Sequence, residues 1–398
     1  MKLTLADDLQ GDLQFTTGEY ERRYDRIREQ MEQQGFAALI ITGAQTWYRG
    51  DECNLRYVAG IGVRLEPPFV ILGLTGQPIS YYKESKHAPV TIPETSAPLT
   101  WEGSPLLPNT GNAANYTPAV IKTIRDLGLA NSRIGLVSER LFPVDVYREL
   151  VKEFPQAQFA DAEQLLADLR RVKSEEEIKF LRRSAWCADI ALQAIADAAS
   201  QGVTDLDLIL AADSAMARNG TIPGGFQLLA SGKWGEIRGL GQGSPKRVAA
   251  GDLVLNELTS NYKGYYTQLA VPIAVGGEPP ADFQRFMQVN DAMYRTQFQA
   301  FRAGTTVQEV DKLGDQVGAE ISGGEWLSRF ACQTVDFEQS FMHPNPALEP
   351  GMAFVLMPWL HSGGDNRFVG HGSGNTIVCT DAEPLVLHQT PLRTIIVD

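Results

Sequence analysis

The chain has 398 residues, of which 43% are hydrophobic and 21% are charged, and its formal net charge is −13. This is the composition of a globular protein with enough residues for two or three domains. An acidic surface repels phosphate groups, so neither nucleic acid nor an anionic membrane is expected as a partner. No apolar run reaches ~18 residues and no apolar segment follows the first lysine, which predicts a cytoplasmic protein. The four cysteines are scattered without metal-like spacing and are expected to be reduced.

The first part of the sequence alternates between helical and buried-strand patterns. Tyr24, Ile27 and Met31 have helical spacing before Gly35, and a continuous apolar run at 37–41 is typical of a buried strand. Similar alternation continues to about residue 161. Helices that alternate with buried strands predict an α/β domain with a parallel or mixed sheet. We assign residues 1–168 to this domain and residues 169–398 to a second one.

The second domain contains two copies of one arrangement. Ser174, with Glu177 three residues later, has the form of a capping box and starts a long predicted helix. A second capped helix follows, and a similar helix pair appears later in the chain. Three positions recur at an offset of 102 residues, namely Gly202, Thr204 and Asp207, and then Gly304, Thr306 and Glu309. Strand-like segments accompany each pair, so the sequence indicates an internal duplication of a helix pair plus a sheet.

Residues 251–272 are predicted to form two strands joined by a tight turn. Most of their side chains are apolar or aromatic, and Tyr265 and Tyr266 are expected in a core. Glu257 and Gln268 interrupt this pattern late in each strand. Closure of the hairpin should therefore bring a carboxylate next to an amide.

The duplication behind a smaller α/β domain resembles the pita-bread fold of the creatinase, prolidase and aminopeptidase P family. The resemblance extends over nearly the whole chain and is best marked in "GDLVLNELTSNYKGYY" and "LEPGMAFVLMP". It implies a creatinase-like N-terminal domain followed by a duplicated catalytic-type domain. Metal-dependent members hold two divalent ions with two Asp, one His and two Glu, ligands that suit hard cations and activate a bridging water.

The resemblance places different residues at most of those ligand positions. The two Asp positions are occupied by Glu257 and Gln268, and the His position by Asp336, seven residues before His343 of "HPNP". The two Glu positions are occupied by Met357 and Gly374, neither of which binds a hard cation. The resemblance therefore implies a pocket with no metal and no other cofactor.

Creatinase itself is the metal-free enzyme of the family and uses a histidine where this chain has Leu240. The remaining candidate bases are His343, His371 and, as a third candidate, His361, because an imidazole titrates near neutral pH. Glu257 and Asp336 are expected either to bind a cationic group or to share a proton. The alternative is that they are remnants, hydrogen-bonded to Gln268 and the tyrosines in a silent pocket. The catalytic set predicted from the sequence is thus Glu257, Asp336, His343 and His371.

Three functions stay open at this stage. The main interpretation is a metal-independent, creatinase-like hydrolase or lyase that cleaves a C–N or similar bond of a small, nitrogen-containing substrate. The alternatives are a catalytically silent binding protein and an Xaa-Pro-type metallopeptidase with unusual ligands. Related proteins with the N-terminal domain often dimerise, which implies a homodimer. The residues predicted to contact substrate are Gln268, Tyr265, Met357, Arg56 and Arg64. Of these, Arg56 and Arg64 are expected to reach the pocket of the partner subunit.

Overall fold

The computed structural model describes residues 3–44, 52–62, 68–83, 97, 100–104, 117–221, 227–323, 326–328, 332–334, 347–362 and 368–398. These residues separate into two compact units. The N-terminal unit comprises residues 13–171, and the C-terminal unit comprises residues 1–12 together with 172–398. Within the described part of the chain, no helix combines the length and apolarity that a membrane crossing requires.

The N-terminal unit is an α/β domain with one mixed sheet of six strands in the order β4-β3-β2-β1-β5-β6. Strand β1 is antiparallel to β2 and parallel to β5. Residues of α3 and α4 pack against alternate side chains of β1, β2 and β5, such as Ala38 and Ile40. Leu39 and Ile41, on the other face of β1, are buried as well, and burial of both faces explains the continuous apolar run. The elements are α1 Thr17–Gln34, β1 Ala38–Ile41, α2 Cys53–Ala59, β2 Phe69–Gly73, β3 Ile79–Lys83, β4 Thr100–Ser104, α3 Thr117–Asp126, β5 Arg133–Val137, α4 Val144–Glu153, β6 Gln158–Asp161 and α5 Glu163–Arg171.

The C-terminal unit has four long helices and two sheets in its described residues. Its helices are α6 Glu175–Ala198, α7 Asp205–Arg218, α8 Ala281–Ala300 and α9 Val307–Ser322. Its strands are β7 Gln227–Gly232, β8 Leu253–Tyr262, β9 Tyr265–Ala270, β10 Ile273–Val275, β11 Trp326–Ser328, β12 Cys332–Thr334, β13 Ala353–Leu356, β14 Trp359–Ser362, β15 Phe368–His371, β16 Gly374–Val378, β17 Leu385–Val386 and β18 Ile395–Val397.

The larger sheet has nine strands and joins the two halves of this unit. Its main path is β12-β13-β16-β9-β8-β10-β18, with β17 beside β16 and β7 beside β8. The smaller sheet has the order β11-β14-β15. Helices α6 and α7 pack on β8 and β9, while α8 and α9 pack on β13 and β16. Each helix pair thus covers its own part of the sheet, as the duplicated sequence pattern predicts.

Three helices begin with the capping boxes that the sequence indicates. The side chains of Ser174, Thr204 and Thr306 each accept a hydrogen bond from a backbone N–H three residues later. The backbone N–H of the capping residue donates in turn to the side-chain carboxylate of the acidic residue at that later position. The caps satisfy N–H groups that a helix start leaves unpaired, and so they fix where each helix begins.

The first twelve residues belong to the C-terminal unit, although the sequence analysis placed them in the first domain. Arg182 of α6 pairs with Asp8 at 3.2 Å. Near the chain end, Gln389 exchanges two hydrogen bonds with the backbone of Thr4. Both contacts join residues more than 170 positions apart, so no local periodicity reveals them.

Candidate active site at the β8–β9 hairpin

The β8–β9 hairpin closes through a two-residue turn that fixes its register. Lys263 and Gly264 both have positive φ, 52° and 93°, the backbone of a tight turn that matches the twist of its strands. Asn261 Oδ1 accepts the Gly264 N–H at 2.7 Å. The resulting register places Thr259 opposite Gln268. Glu257 is two residues before Thr259 and therefore lies on the same face of the sheet.

The two faces of β8 contact different parts of the unit. Val254 and Leu258 join the apolar cluster beneath α6 and α7. Leu253 and Leu255 join another cluster that contains residues of α8. Because side chains alternate along a strand, Glu257 and Thr259 project on the same side as Leu255. The carboxyl group is thus held on the sheet face turned away from α6 and α7.

Glu257 is a buried carboxyl group with an amide donor beside it. Its residue is 5% exposed, and Gln268 Nε2 donates to Glu257 Oε1. The same Nε2 donates to Thr259 Oγ1 at 3.1 Å. Burial disfavours the charged form and raises the pKa of Glu257 to about 7, although the hydrogen bond from Gln268 opposes this shift. At neutral pH the group therefore exists in both protonation states, as a general acid–base catalyst requires.

Gln268 is held rigidly but keeps one free acceptor. Its backbone N–H donates to Thr376 Oγ1 at 2.8 Å, and Thr376 Oγ1 donates back to the Gln268 carbonyl at 3.2 Å. Among the described residues, none donates to its side-chain Oε1, which is buried. An unsatisfied buried acceptor is costly, so this oxygen is suited to an N–H or O–H group of a bound molecule.

The adjacent strands supply apolar side chains rather than ligands. Met357 is 2% exposed and packs with Ala270 and Val355, and Gly374 is opposite Ala270 in the sheet. A Cβ atom built at Gly374 would lie 2.5 Å from Met357 Cβ and 2.6 Å from the Leu356 carbonyl oxygen. No longer side chain fits there without movement of the backbone of β13.

The structure brings together only some of the residues predicted from the sequence. Gln268 donates a hydrogen bond to Glu257, Gly374 begins the adjacent strand β16, and Met357 directly follows the end of β13. Tyr265, by contrast, donates its hydroxyl to Glu177 Oε1 at 2.9 Å. Gln268 is three positions after Tyr265, an odd offset, so the two side chains lie on opposite faces of β9.

The other predicted residues cannot be assigned to this cluster. Asp336, His343 and Arg64 lie outside the described residues. His371 is the last residue of β15, where its backbone is opposite Trp359. Arg56 belongs to α2 and pairs with Glu52 at 2.6 Å. The roles assigned to these residues stay predictions.

Two threonines at this site were missed by the sequence analysis. Thr259 accepts from the Gln268 side chain, and Thr376 binds both backbone groups of Gln268. The alternation of strand side chains from Glu257 would have indicated Thr259. Thr376 is 108 residues away from Gln268, and only the strand order brings it close.

Comparison with known proteins shows the family of this chain. The model of metallopeptidase family M24 matches residues 179–382, and that of the creatinase/prolidase N-terminal domain matches residues 23–172. The chain therefore belongs to metallopeptidase family M24. It also has the mixed α/β architecture of that family, with a creatinase-like N-terminal domain before the pita-bread domain, as the sequence analysis predicts.

The similar proteins are peptidases by name. The chain is 23% identical over 246 residues to an Xaa-Pro dipeptidase of Pyrococcus horikoshii, covering 61% of this chain and 67% of that protein. It is 22% identical to an uncharacterized peptidase of Bacillus subtilis, covering 92% of this chain and 100% of that one. An X-Pro aminopeptidase structure from Thermotoga maritima aligns with a TM-score of 0.74 at 17% identity, covering 94% and 99% of the two chains.

These relatives correct the main functional interpretation from the sequence. A metal-independent, creatinase-like enzyme is contradicted, because the similar curated proteins bear the names of Xaa-Pro dipeptidases and other peptidases. The ligand positions in which this chain departs from the family suggested a metal-free enzyme, whereas the similarity of the whole chain is to peptidases. The finding supports the third hypothesis, an Xaa-Pro-type peptidase with unusual ligands, more than the first.

The described residues do not fit the two-ion centre that the family implies. In this part of the chain, no group of three or more His, Cys, Asp or Glu side chains is arranged to hold a metal ion. At the hairpin, Glu257 is accompanied by an amide, a thioether and a glycine, and Met357 fills the space that a side chain at position 374 would need. Hard divalent cations require more oxygen ligands than these positions offer.

Proposed function

We propose that this protein is a hydrolase of small peptides of the Xaa-Pro class, with Glu257 as the proton-transferring group. The observation that carries the proposal is the buried Glu257–Gln268 pair in a chain whose two domains both match this peptidase family. The names of the similar proteins, which are Xaa-Pro dipeptidases, supply the substrate class.

Glu257 is equipped to move a proton during amide hydrolysis. In the carboxylate form it accepts a proton from the water that attacks the scissile carbonyl carbon. The carboxyl form then donates that proton to the leaving nitrogen as the C–N bond breaks. A pKa of about 7 makes both forms accessible at neutral pH. The proton ends on the product amine, and Glu257 returns to its starting state.

Gln268 is assigned to orientation of Glu257 and of the substrate. Its Nε2 holds Glu257 Oε1, while its buried Oε1 is an acceptor for an N–H group of a peptide. Thr376 fixes the backbone of Gln268 from the neighbouring strand. Such a fixed acceptor selects substrates that carry a donor at the matching position.

Release of proline from Xaa-Pro dipeptides tests this proposal. The purified protein is assayed with a panel of such dipeptides, once after treatment with a chelator and once with added Mn²⁺. We expect hydrolysis in at least one of these buffers by the wild-type protein, and loss of it in Glu257→Gln. Glu278→Gln, at an exposed carboxylate of the same unit, is the matched control and should remain active. Absence of hydrolysis in both buffers would refute the proposal.

A further inference from the structure

A cavity lies beside the outer edge of β7. It has a volume of about 480 Å³ and is lined by residues of β7, by the segment 236–246 and by Asp205, the first residue of α7. Among the described strands, β7 pairs with β8 alone, and Leu229 makes an isolated bridge to Gln242 of the lining segment. The segment is thus hydrogen-bonded to the outer edge of β7 between Leu229 and Gly241, and it shares the lining of the cavity with β7.

One wall of this cavity carries a buried carboxylate with a free oxygen. Asp205 is 3% exposed, and its Oδ2 accepts a hydrogen bond from Ser244 Oγ at 2.9 Å. Its Oδ1 has no hydrogen-bond partner within the described part of the chain, and neither does the buried hydroxyl of Ser231 on the same lining. Burial of a carboxylate oxygen without a donor is costly. The wall is therefore suited to a ligand that brings N–H groups.

The opposite charge is present on the same lining. Arg238 and Lys246 are exposed, and each donates to a backbone carbonyl, of Gly235 and Ser231 respectively. No ion pair is formed by either cation with the carboxylates that the structure describes. The ionisable groups that line the cavity are thus two acids, Asp205 and Glu236, and these two bases.

Glycines keep the lining open rather than tightly packed. A Cβ atom at Gly239 or Gly241 would meet no atom within 4 Å, so neither close packing nor a positive φ demands glycine there. Gly243 differs, because its φ is +94° and its Cβ would lie 3.1 Å from Leu206 Cα. That close approach anchors the segment on the start of α7, and the two other glycines leave room for a molecule.

We propose that this cavity binds a small zwitterion, namely a free α-amino acid or a dipeptide. Its ammonium group would donate to Asp205 Oδ1, and its carboxylate would bind Arg238 and Lys246. The balanced charges of the lining favour such a ligand over a simple anion or cation. The site is distinct from the hairpin. Glu257 is opposite Leu228 of β7, whereas Ser231 of the cavity lining is three residues further along that strand. Three strand residues span about 10 Å, which separates Ser231 from the position of Glu257.

Isothermal titration calorimetry with L-proline and L-alanine tests the proposal, because neither compound has a peptide bond to hydrolyse. The wild-type protein should bind at least one of them with a Kd below about 10 mM. N-acetyl derivatives lack the ammonium group and amides lack the carboxylate. Both kinds of analogue should bind about tenfold more weakly or worse.

Substitutions in the cavity lining show whether the amino acid binds in this cavity or at Glu257. Asp205→Asn and Arg238→Gln should each weaken binding about tenfold or more. Lys233→Gln is the matched control, since Lys233 pairs with Asp252 at 3.3 Å and does not line the cavity, and it should bind as the wild type does. Arg238 is exposed, so its variant keeps the test valid even if Asp205→Asn unfolds the protein. No binding by the wild type, binding unchanged in Arg238→Gln, or binding lost in Glu257→Gln would each refute the proposal.

Discussion

Glu257 places a carboxyl group where its charged form is poorly solvated. Burial raises its pKa to about 7 from an ordinary value of 4.5. Below pH 4.5 the group is neutral in both the folded and the unfolded state, and above pH 7 it is charged in both. Glu257 therefore contributes to the free energy of unfolding at low pH. This contribution is lost as the pH rises through the folded-state pKa.

Replacement of Glu257 by Gln should stabilise the protein at high pH and not at low pH. The variant removes the buried charge, and the pKa shift corresponds to a free-energy difference of roughly 3 kcal/mol between the two pH limits. We expect the Tm of Glu257→Gln, relative to the wild type, to be clearly higher at about pH 8 than at about pH 5. Differential scanning calorimetry at both pH values measures this. An equal Tm difference at both values would show that burial does not shift the pKa of Glu257.

Gly374 should tolerate no side chain. A Cβ there would overlap Met357 and the Leu356 carbonyl, so Gly374→Ala should lower the free energy of unfolding by about 1–3 kcal/mol or more. Gly239→Ala is the control, because its Cβ meets nothing within 4 Å, and it should change stability by less than about 1 kcal/mol. Urea titrations of both proteins give the comparison. A Gly374→Ala protein as stable as the control would mean that a longer side chain fits at this position.

At the scale of single residues, the sequence revealed the Glu257–Gln268 pair because a hairpin register is local. The tight turn at Lys263–Gly264 fixes which side chains meet. The free Oε1 of Gln268 and the cavity beside Asp205 were not predictable in this way. Both features depend on the order of strands in the sheet and on the absence of a hydrogen-bond donor near the oxygen atom. Neither property can be deduced from the pattern of residue types along the sequence.

The secondary-structure elements show most directly how the sequence specifies the fold. Three helix starts are specified by capping boxes within four residues, so the sequence located them closely. The order of the nine strands in the large sheet depends on contacts between distant residues. Thr376 beside Gln268 is one such contact. The duplication indicated two similar halves, but it did not indicate which strands join them.

The two related caps should contribute equally to stability. Thr204 and Thr306 make the same hydrogen bonds at the starts of α7 and α9. Replacement of either by Ala should therefore lower the free energy of unfolding by about 1 kcal/mol. Ser214→Ala, at an exposed position inside α7, should not destabilise the protein, because Ala favours a helix at least as well. Chemical denaturation of the three variants tests this. A cost for only one of the two caps would argue against equivalent roles.

On the scale of the whole molecule, the family was predictable because its pattern extends over both domains. The substrate class was not, since the ligand positions that the sequence analysis used are those in which this chain departs from the family. Whole-chain similarity to peptidases corrects that inference. The absence of a metal at the hairpin stays a prediction, as does the cytoplasmic location.

We predict that the protein is a homodimer. The basis is the resemblance found in the sequence, which implies a dimer for chains that carry this N-terminal domain. Light scattering coupled to size-exclusion chromatography at micromolar protein should give twice the mass of the 43.7 kDa chain. A mass equal to that of one chain would exclude a dimer under these conditions.

The most direct test of the role of Glu257 is the pH dependence of kcat/KM for an Xaa-Pro dipeptide. A carboxylate with a pKa of about 7 that accepts a proton from water requires the rate to fall on the acidic side of that value. We expect an acid limb centred near pH 7 for the wild-type protein and a loss of about 100-fold or more in Glu257→Gln. A wild-type profile without this limb, or a Glu257→Gln protein that retains both the rate and the limb, would contradict the proposed role.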